Sequence, residues 1–174
     1  MSWTGPVSPA LLTDLYELTM AAAYYQHGYD ADASFELSVR RLPPSRRFLL
    51  VAGLDDALTG LEEFRFSAQD ITHLRGLGLF PGPFLEMLAD LRFTGDVDAM
   101  AEGEVAYAGE PLLRVTAPLI QAQIVETFLL NQVASQTLVA SKAARVTLAC
   151  GDRDFVDFSA RRDHGASAAL TAAR

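Results

Sequence analysis

Between Pro118 and Gly151 the chain contains neither glycine nor proline, and this run constrains the fold more than any other feature. Proline suits the first turn of a helix, where its missing N–H would be an orphan, and nothing afterwards forces the backbone out of helical geometry. Apolar side chains recur at Ile120, Ile124 and Phe128, and again at Val125, Leu129 and Val133. Two adjacent apolar stripes predict a well-buried helix. One straight helix over the run would be roughly 45–50 Å long at about 1.5 Å per residue, wider than a small domain. The reading is therefore one or two helices, with a break at the polar cluster Asn131, Gln132, Ser135, Gln136 and Thr137, whose short side chains compete for backbone partners.

Upstream, Leu11, Leu15, Leu18 and Ala22 share a helical face and Gly28 is the stop signal, with Thr13 and Glu17 or Ser8 as candidate caps. Tyr16, Met20 and Tyr24 line a neighbouring stripe, which reads from periodicity as core or boundary. Phe35, Leu37 and Val39 alternate with Glu36 and Ser38, as in a half-buried strand ended by Pro43 and Pro44. A short apolar strand over residues 48–52 leads through a glycine turn to a helix carrying Leu54, Ala57, Leu58 and Leu61. Its Asp55, Asp56, Glu62 and Glu63 read as a solvated acidic face beside a favourable helix N-terminus. Short helices follow over residues 67–90, with His73 facing solvent. The run GLGLFPGP lacks the Lys-Ser or Lys-Thr of a phosphate loop. Three short strands between residues 91 and 116 are expected to pair antiparallel with the earlier two. Residues 1–117 thus read as an α+β domain, a small, mainly antiparallel sheet with helices.

Half of the 174 residues are apolar, enough for a sizeable core. The net charge of -8 and pI near 4.8 argue against nucleic acid as the main partner. Basic clusters at Arg40, Arg41, Arg46 and Arg47, and at Lys142, Arg145, Arg161 and Arg162, keep an anionic small molecule open. The single Cys150 excludes an internal disulfide and a Cys-based zinc site, and fits a reducing cytoplasm. The N-terminus lacks the pattern of a signal peptide. Residues 119–141 include Glu126 and many amides and hydroxyls, so a buried helix is expected rather than a membrane span.

After the long run, FVDFS at residues 155–159 reads as a short strand, with a helix starting near Gly165. Asp157, Phe158, Arg161, Arg162 and His164 would lie at that strand's carboxyl end, where a β/α barrel carries its active site. Two consecutive arginines offer rigid forks for carboxylate or phosphate. Lys142 and Arg145 share a helical face, either presenting paired cations to an anion or compensating the dipole of a final turn.

Several motifs, in this order and spacing, resemble nicotinate phosphoribosyltransferase. They are TDLYELTM at 13–20, GEPLLRV at 109–115, the Pro118-Leu119 pair, AQIVETFLLN at 122–131, QTLVASKAARV at 136–146 and DF-x-x-RR-x-HG at 157–165. The resemblance covers most of the chain. It implies an α+β N-terminal domain over 1–117, then linking helices and the first step of an α/β, TIM-like barrel over 118–174. The implied reaction is ATP-assisted synthesis of nicotinate mononucleotide from nicotinate and phosphoribosyl pyrophosphate in NAD salvage, with Mg²⁺ screening the pyrophosphate. It implies a cytoplasmic homodimer with shared sites, in which Tyr16 stacks on the pyridine ring in the neighbouring subunit. Phe158 would take the ring's other face, Arg161 the substrate, and Arg162 phosphate or pyrophosphate. Asp14, Lys142, Arg145 and His164 are weaker candidates, Asp14 also being explained as a cap and His164 as a supporting group. No metal ligand is assigned, and the histidine that ATP phosphorylates is expected beyond Arg174. The fragment alone is predicted to be inactive. Ser159-Ala160 stands where the family usually has Gly-Leu, which predicts a shifted Arg161 if that position needs a positive φ. The alternatives are a nicotinamide or quinolinate phosphoribosyltransferase, or a non-catalytic dimerisation fragment.

Overall fold

A computed structural model of the chain describes residues 8–174, so the reading of the extreme N-terminus falls partly on residues outside it. Helix α1 (Leu15–His27) stops at Gly28, whose φ of 67° lets its N–H reach the Tyr24 and Tyr25 carbonyls. Its start differs from the expected capping. Asp14 occupies the N-cap without a side-chain cap bond, and the Thr13 hydroxyl bonds to the Glu17 carboxylate. Leu15 also departs from its expected face and is exposed, while Glu17, Leu18, Ala21 and Ala22 are buried.

Strand β1 (Asp32–Ser38) pairs antiparallel with β5 (Pro111–Pro118), which pairs on its other side with β3 (Asp96–Ala99). The register sets Ala33, Phe35 and Leu37 against Ala117, Val115 and Leu113. The opposite face is polar, closed by Arg114 on Glu36 and by Ser34 with Thr116 at 2.8 Å. Strands β2 (Leu49–Leu50) and β4 (Val105–Ala106) form a separate two-stranded sheet, so the five strands divide between two sheets rather than forming one. The long helix α6 (Glu126–Cys150) explains the division, because it satisfies backbone groups of the β2 segment with side chains. The Leu50 N–H donates to Ser141 Oγ at 2.8 Å, and Thr137 Oγ1 accepts from the Ala52 N–H at 3.2 Å.

Helices α2 (Leu54–Glu62), α3 (Ala68–Gly76) and α4 (Gly82–Asp90) follow the pattern of the sequence. Ser67 and Asp70 close a reciprocal capping box on α3, and His73 is exposed. Beyond β5 come α5 (Leu119–Ile124) and α6 (Glu126–Cys150). The break therefore lies at Val125, and the polar cluster at 131–137 sits inside an unbroken helix of 25 residues. Those side chains do not compete with the helix because they have better uses. Gln136 donates to Asp56 at 2.7 Å, Thr137 bonds to Ala52, and Ser135 bonds back to the Asn131 carbonyl within the helix. At about 1.5 Å per residue α6 is close to 37 Å long. One core joins the sheets to these helices, with Phe64, Phe84, Leu88, Leu112, Ile124 and Phe128 fully buried.

The expected strand at 155–159 is not formed. Residues 154–159 belong to no ladder, and Phe155, Val156 and Phe158 are exposed. An isolated segment has no ladder partner for its peptide groups, and among the described residues no strand pairs with it. Helix α7 (Ala166–Ala173) then packs against α6, and Arg174 pairs with Glu102 at 2.6 Å near the start of α2.

Candidate functional site

Tyr16 lies in the first turn of α1 and is 46% exposed, although its stripe neighbours suggested a boundary side chain. The Glu126 carboxylate at the start of α6 lies beside its phenol. Gln123 Nε2 donates to that carboxylate at 3.1 Å. Partial desolvation, the neighbouring Glu126 carboxylate, and the negative charges of Glu17 and Asp14 push the phenol up to about 12. Tyr16→Phe is therefore expected to delete a phenol that ionises only at about pH 12 in an ultraviolet absorbance titration of the chain. Loss of a phenol that ionises at about pH 10 would contradict the influence of Glu126.

Glu17, the next residue, is fully buried. Burial raises its pKa first, opposed by hydrogen bonds from the Thr127 and Thr13 hydroxyls, with further upward pressure from Glu126 and Asp14. The Thr127 hydroxyl also approaches Asp14 Oδ2 at 3.2 Å. A carboxyl whose folded pKa is raised holds its proton more tightly when folded than when unfolded. Its contribution to stability is present below the unfolded pKa and is lost as pH rises through the folded value. Glu17→Gln, an uncharged isostere, is thus expected to gain on the wild type as pH rises from acid to neutral. Urea midpoints across that range would measure the gain, and a constant difference would count against it.

The second group of candidates lies elsewhere. Lys142 and Arg145 are exposed on α6, but the helix runs on to Cys150, so they are not the basic final turn considered above. Lys142 lies about 24 Å along the helix axis from Glu126, at about 1.5 Å per residue. Phe158, Arg161, Arg162 and His164 are all exposed on the segment between α6 and α7. Arg161 and Arg162 sit in a single 3₁₀ turn, Ala160–Arg162, and the Arg162 N–H donates to the Ser159 carbonyl at 2.6 Å. Ser159 has φ -78°, so glycine's left-handed freedom is not used there. Its N–H and hydroxyl instead bond to Asp157 at 2.8 and 2.7 Å, ordering the approach to the arginines.

A separate cavity of about 540 Å³ is lined by Tyr29, Met87, Leu91, Arg92, Ile120 and Gln121 among others, and none of the predicted site residues reaches it. Among the described residues no three His, Cys, Asp or Glu side chains converge on a metal-sized space, and no helix is long and apolar enough to cross a membrane.

Residues 11–134 match the family profile of the nicotinate phosphoribosyltransferase (NAPRTase) N-terminal domain. The chain belongs to the nicotinate phosphoribosyltransferase family. A nicotinate phosphoribosyltransferase of Mycobacterium tuberculosis is 53% identical over 165 residues, which cover 95% of this chain and 36% of the relative. That of Bacillus subtilis is 43% identical over 168 residues, 96% of this chain and 34% of the relative. The crystal structure of human nicotinic acid phosphoribosyltransferase superposes with a TM-score of 0.82 at 38% identity, covering 92% of this chain and 33% of that one. The chain thus spans about a third of the length of the relatives it matches.

The family profile takes in α1, both sheets, α5 and the first part of α6, and so includes Asp14, Tyr16, Glu17, Glu126 and Thr127. The sequence offered Glu17 only as a cap with Thr13, and named neither Glu126 nor Thr127 as a site residue. The signal for Glu126 was present, since it is the one charged residue between Arg114 and Lys142. For Glu17 it was an acid beside Leu18 on the buried side of α1, a position that needs partners.

Proposed function

We propose that this nicotinate phosphoribosyltransferase chain contributes a pyridine-contacting tyrosine and an anion-binding arginine pair to an enzyme of NAD salvage. The reaction joins nicotinate to phosphoribosyl pyrophosphate, giving nicotinate mononucleotide and pyrophosphate. The observation carrying this reading is Tyr16, an aromatic left open to solvent while its neighbours Asp14 and Glu17 are tied to Thr127 of α6. An electron-poor flat ring gains roughly 0.5–1.5 kcal/mol from offset stacking on such a partner. Lys142 lies too far along α6 to meet the same small ring as Tyr16 within one copy, which favours sites shared between two copies in a cytoplasmic homodimer. Residues 118–174 in this reading are linking helices and the first step of a TIM-like barrel, and the extended segment 154–159 becomes a strand when neighbouring barrel strands supply ladder partners.

Phe158 would face the ring from the other side, and Arg161 would hold the nicotinate carboxylate. Arg162 would take phosphate or pyrophosphate, with His164, Lys142 and Arg145 in supporting positions. Fixed guanidinium forks stabilise a leaving pyrophosphate as its charge develops. ATP and Mg²⁺ belong to the same reading. In this reading the phosphates themselves supply ligands to the metal.

The test joins this chain in frame to the part of the Mycobacterium tuberculosis relative that follows the matched region. The chimera is expected to form nicotinate mononucleotide, and the 174-residue chain alone none. In the chimera Tyr16→Ala should raise the KM for nicotinate about tenfold, the equivalent of about 1.4 kcal/mol. A folded chimera that prefers nicotinamide or quinolinate would overturn the substrate assignment, and activity of the chain alone would overturn the division of labour.

A further inference from the structure

Tyr16 is exposed in a helix turn whose N-cap side chain caps no backbone N–H, a place where first turns fray. What holds it is on another helix. Asp14 and Glu17 flank Tyr16, and both contact the single hydroxyl of Thr127, at 3.2 Å for Asp14 Oδ2 and in a shorter bond for Glu17 Oε1. The adjacent Glu126 carboxylate lies beside the Tyr16 phenol. Thr13 closes the far side by bonding to the other Glu17 oxygen. Thr127 at the start of α6 therefore holds residues 14 and 17, on either side of Tyr16.

From these contacts we infer that Thr127, acting through Glu17 and Asp14, is the positioning residue that sets the direction of the Tyr16 ring for its aromatic ligand. The inference rests on the reading of Tyr16 as the residue that meets the pyridine. Successive helical side chains are about 100° apart, so locking Glu17 into the interior fixes the rotation of α1 and with it the outward heading of Tyr16. Proton counting sharpens the contact. The Thr127 hydroxyl has one hydrogen and faces two carboxyls, so a full set of bonds requires a proton on one of them. Burial pushes the Glu17 carboxyl up and so favours its protonated form. Thr127 Oγ1 faces Glu17 Oε1 and the exposed Asp14 Oδ2 as the donor to both. The ionisable groups around Glu17 are Asp14 and Tyr16 on its own segment and Glu126 on α6, and no cation is among them.

The test has two arms. In the 174-residue chain labelled with 3-fluorotyrosine, the Tyr16 fluorine resonance, assigned by Tyr16→Phe, should move towards that of free tyrosine in Thr127→Val and stay in place in Thr127→Ser. In the chimera, Thr127→Val should raise the KM for nicotinate about fivefold, with the KM for phosphoribosyl pyrophosphate within about twofold and Thr127→Ser restoring both. Should Thr127→Val fail to fold, Glu17→Leu, which fills the same space without the bonds, is scored on the same readings, with Glu17→Gln as the conservative rescue. An unmoved resonance, or equal rises in both KM values, overturns the inference. If Tyr16→Ala leaves the KM for nicotinate unchanged while Thr127→Val still moves the resonance, the ligand reading of Tyr16 falls and the link between the helices stands.

Discussion

Phe128→Ala is expected to cost about 3–5 kcal/mol of folding stability, the largest loss from any single truncation considered for this chain. Phe128 is fully buried near the start of α6 and is received by α2 at a position that has no side chain. A Cβ added to Gly60 would lie 2.1 Å from the Phe128 Cζ, so the ring occupies the space that glycine leaves. Removing the ring opens a cavity that backbone on both sides limits from collapsing, and the loss of apolar burial adds to it. Domains of this size are stable by only about 5–15 kcal/mol, so the variant should unfold at a clearly lower urea concentration with an unchanged slope. Gly60→Ala should cost about 1–3 kcal/mol by overpacking. The two changes combined should cost less than their sum, because each relieves the fault made by the other. Strict additivity would mean that the ring and Gly60 do not share that space.

Gly53→Ala is expected to destabilise by about 3 kcal/mol or more, from two separate causes. Gly53 has φ 97°, outside the ordinary range of L residues, and it stands where β2 turns into α2. A Cβ there would meet the Gln132 carbonyl oxygen at 2.5 Å and the Val133 Cα at 3.1 Å, backbone atoms of α6 with little room to move. The Gly53 N–H also donates to Glu102 at 2.7 Å, a bond that any shift of the turn would strain. Gly28→Ala separates the two causes. Gly28 shares the positive φ but nothing lies within 4 Å of its Cβ position, so it should cost only about 1–2 kcal/mol. Equal losses at both positions in chemical denaturation would show that close approach to α6 contributes nothing.

The pattern of apolar residues made most elements legible, because periodicity follows directly from which side of a helix or strand must leave water. Gly28 ended α1 and Pro118 marked the passage from β5 to α5, both for reasons local to the chain. The misreadings share one cause. Asn131, Gln132, Ser135, Gln136 and Thr137 look like a helix breaker in sequence, and α6 runs through them because Gln136 and Thr137 find partners on α2 and beyond β2. FVDFS looks like a strand, and it stays unpaired because a strand is a property of two segments. Tyr16 was placed by resemblance rather than by periodicity, which pointed to a boundary position. The contact between Glu17 and Thr127 went unnoticed because a carboxyl and a hydroxyl 110 positions apart give no local sign of it.

By itself the sequence determined the family, the α+β order of elements, the antiparallel pairing and the chemical types available for an anionic, aromatic ligand. These depend on composition, motif order and local periodicity, which the chain carries without folding. Tertiary structure alone decided that the strands divide into two sheets, that the helix breaks at Val125, and that the start of α6 holds the first turn of α1 through Asp14 and Glu17. Each of those depends on a polar group finding its partner across the fold, and burial makes an unpartnered group costly enough to choose among arrangements that the apolar pattern leaves equal.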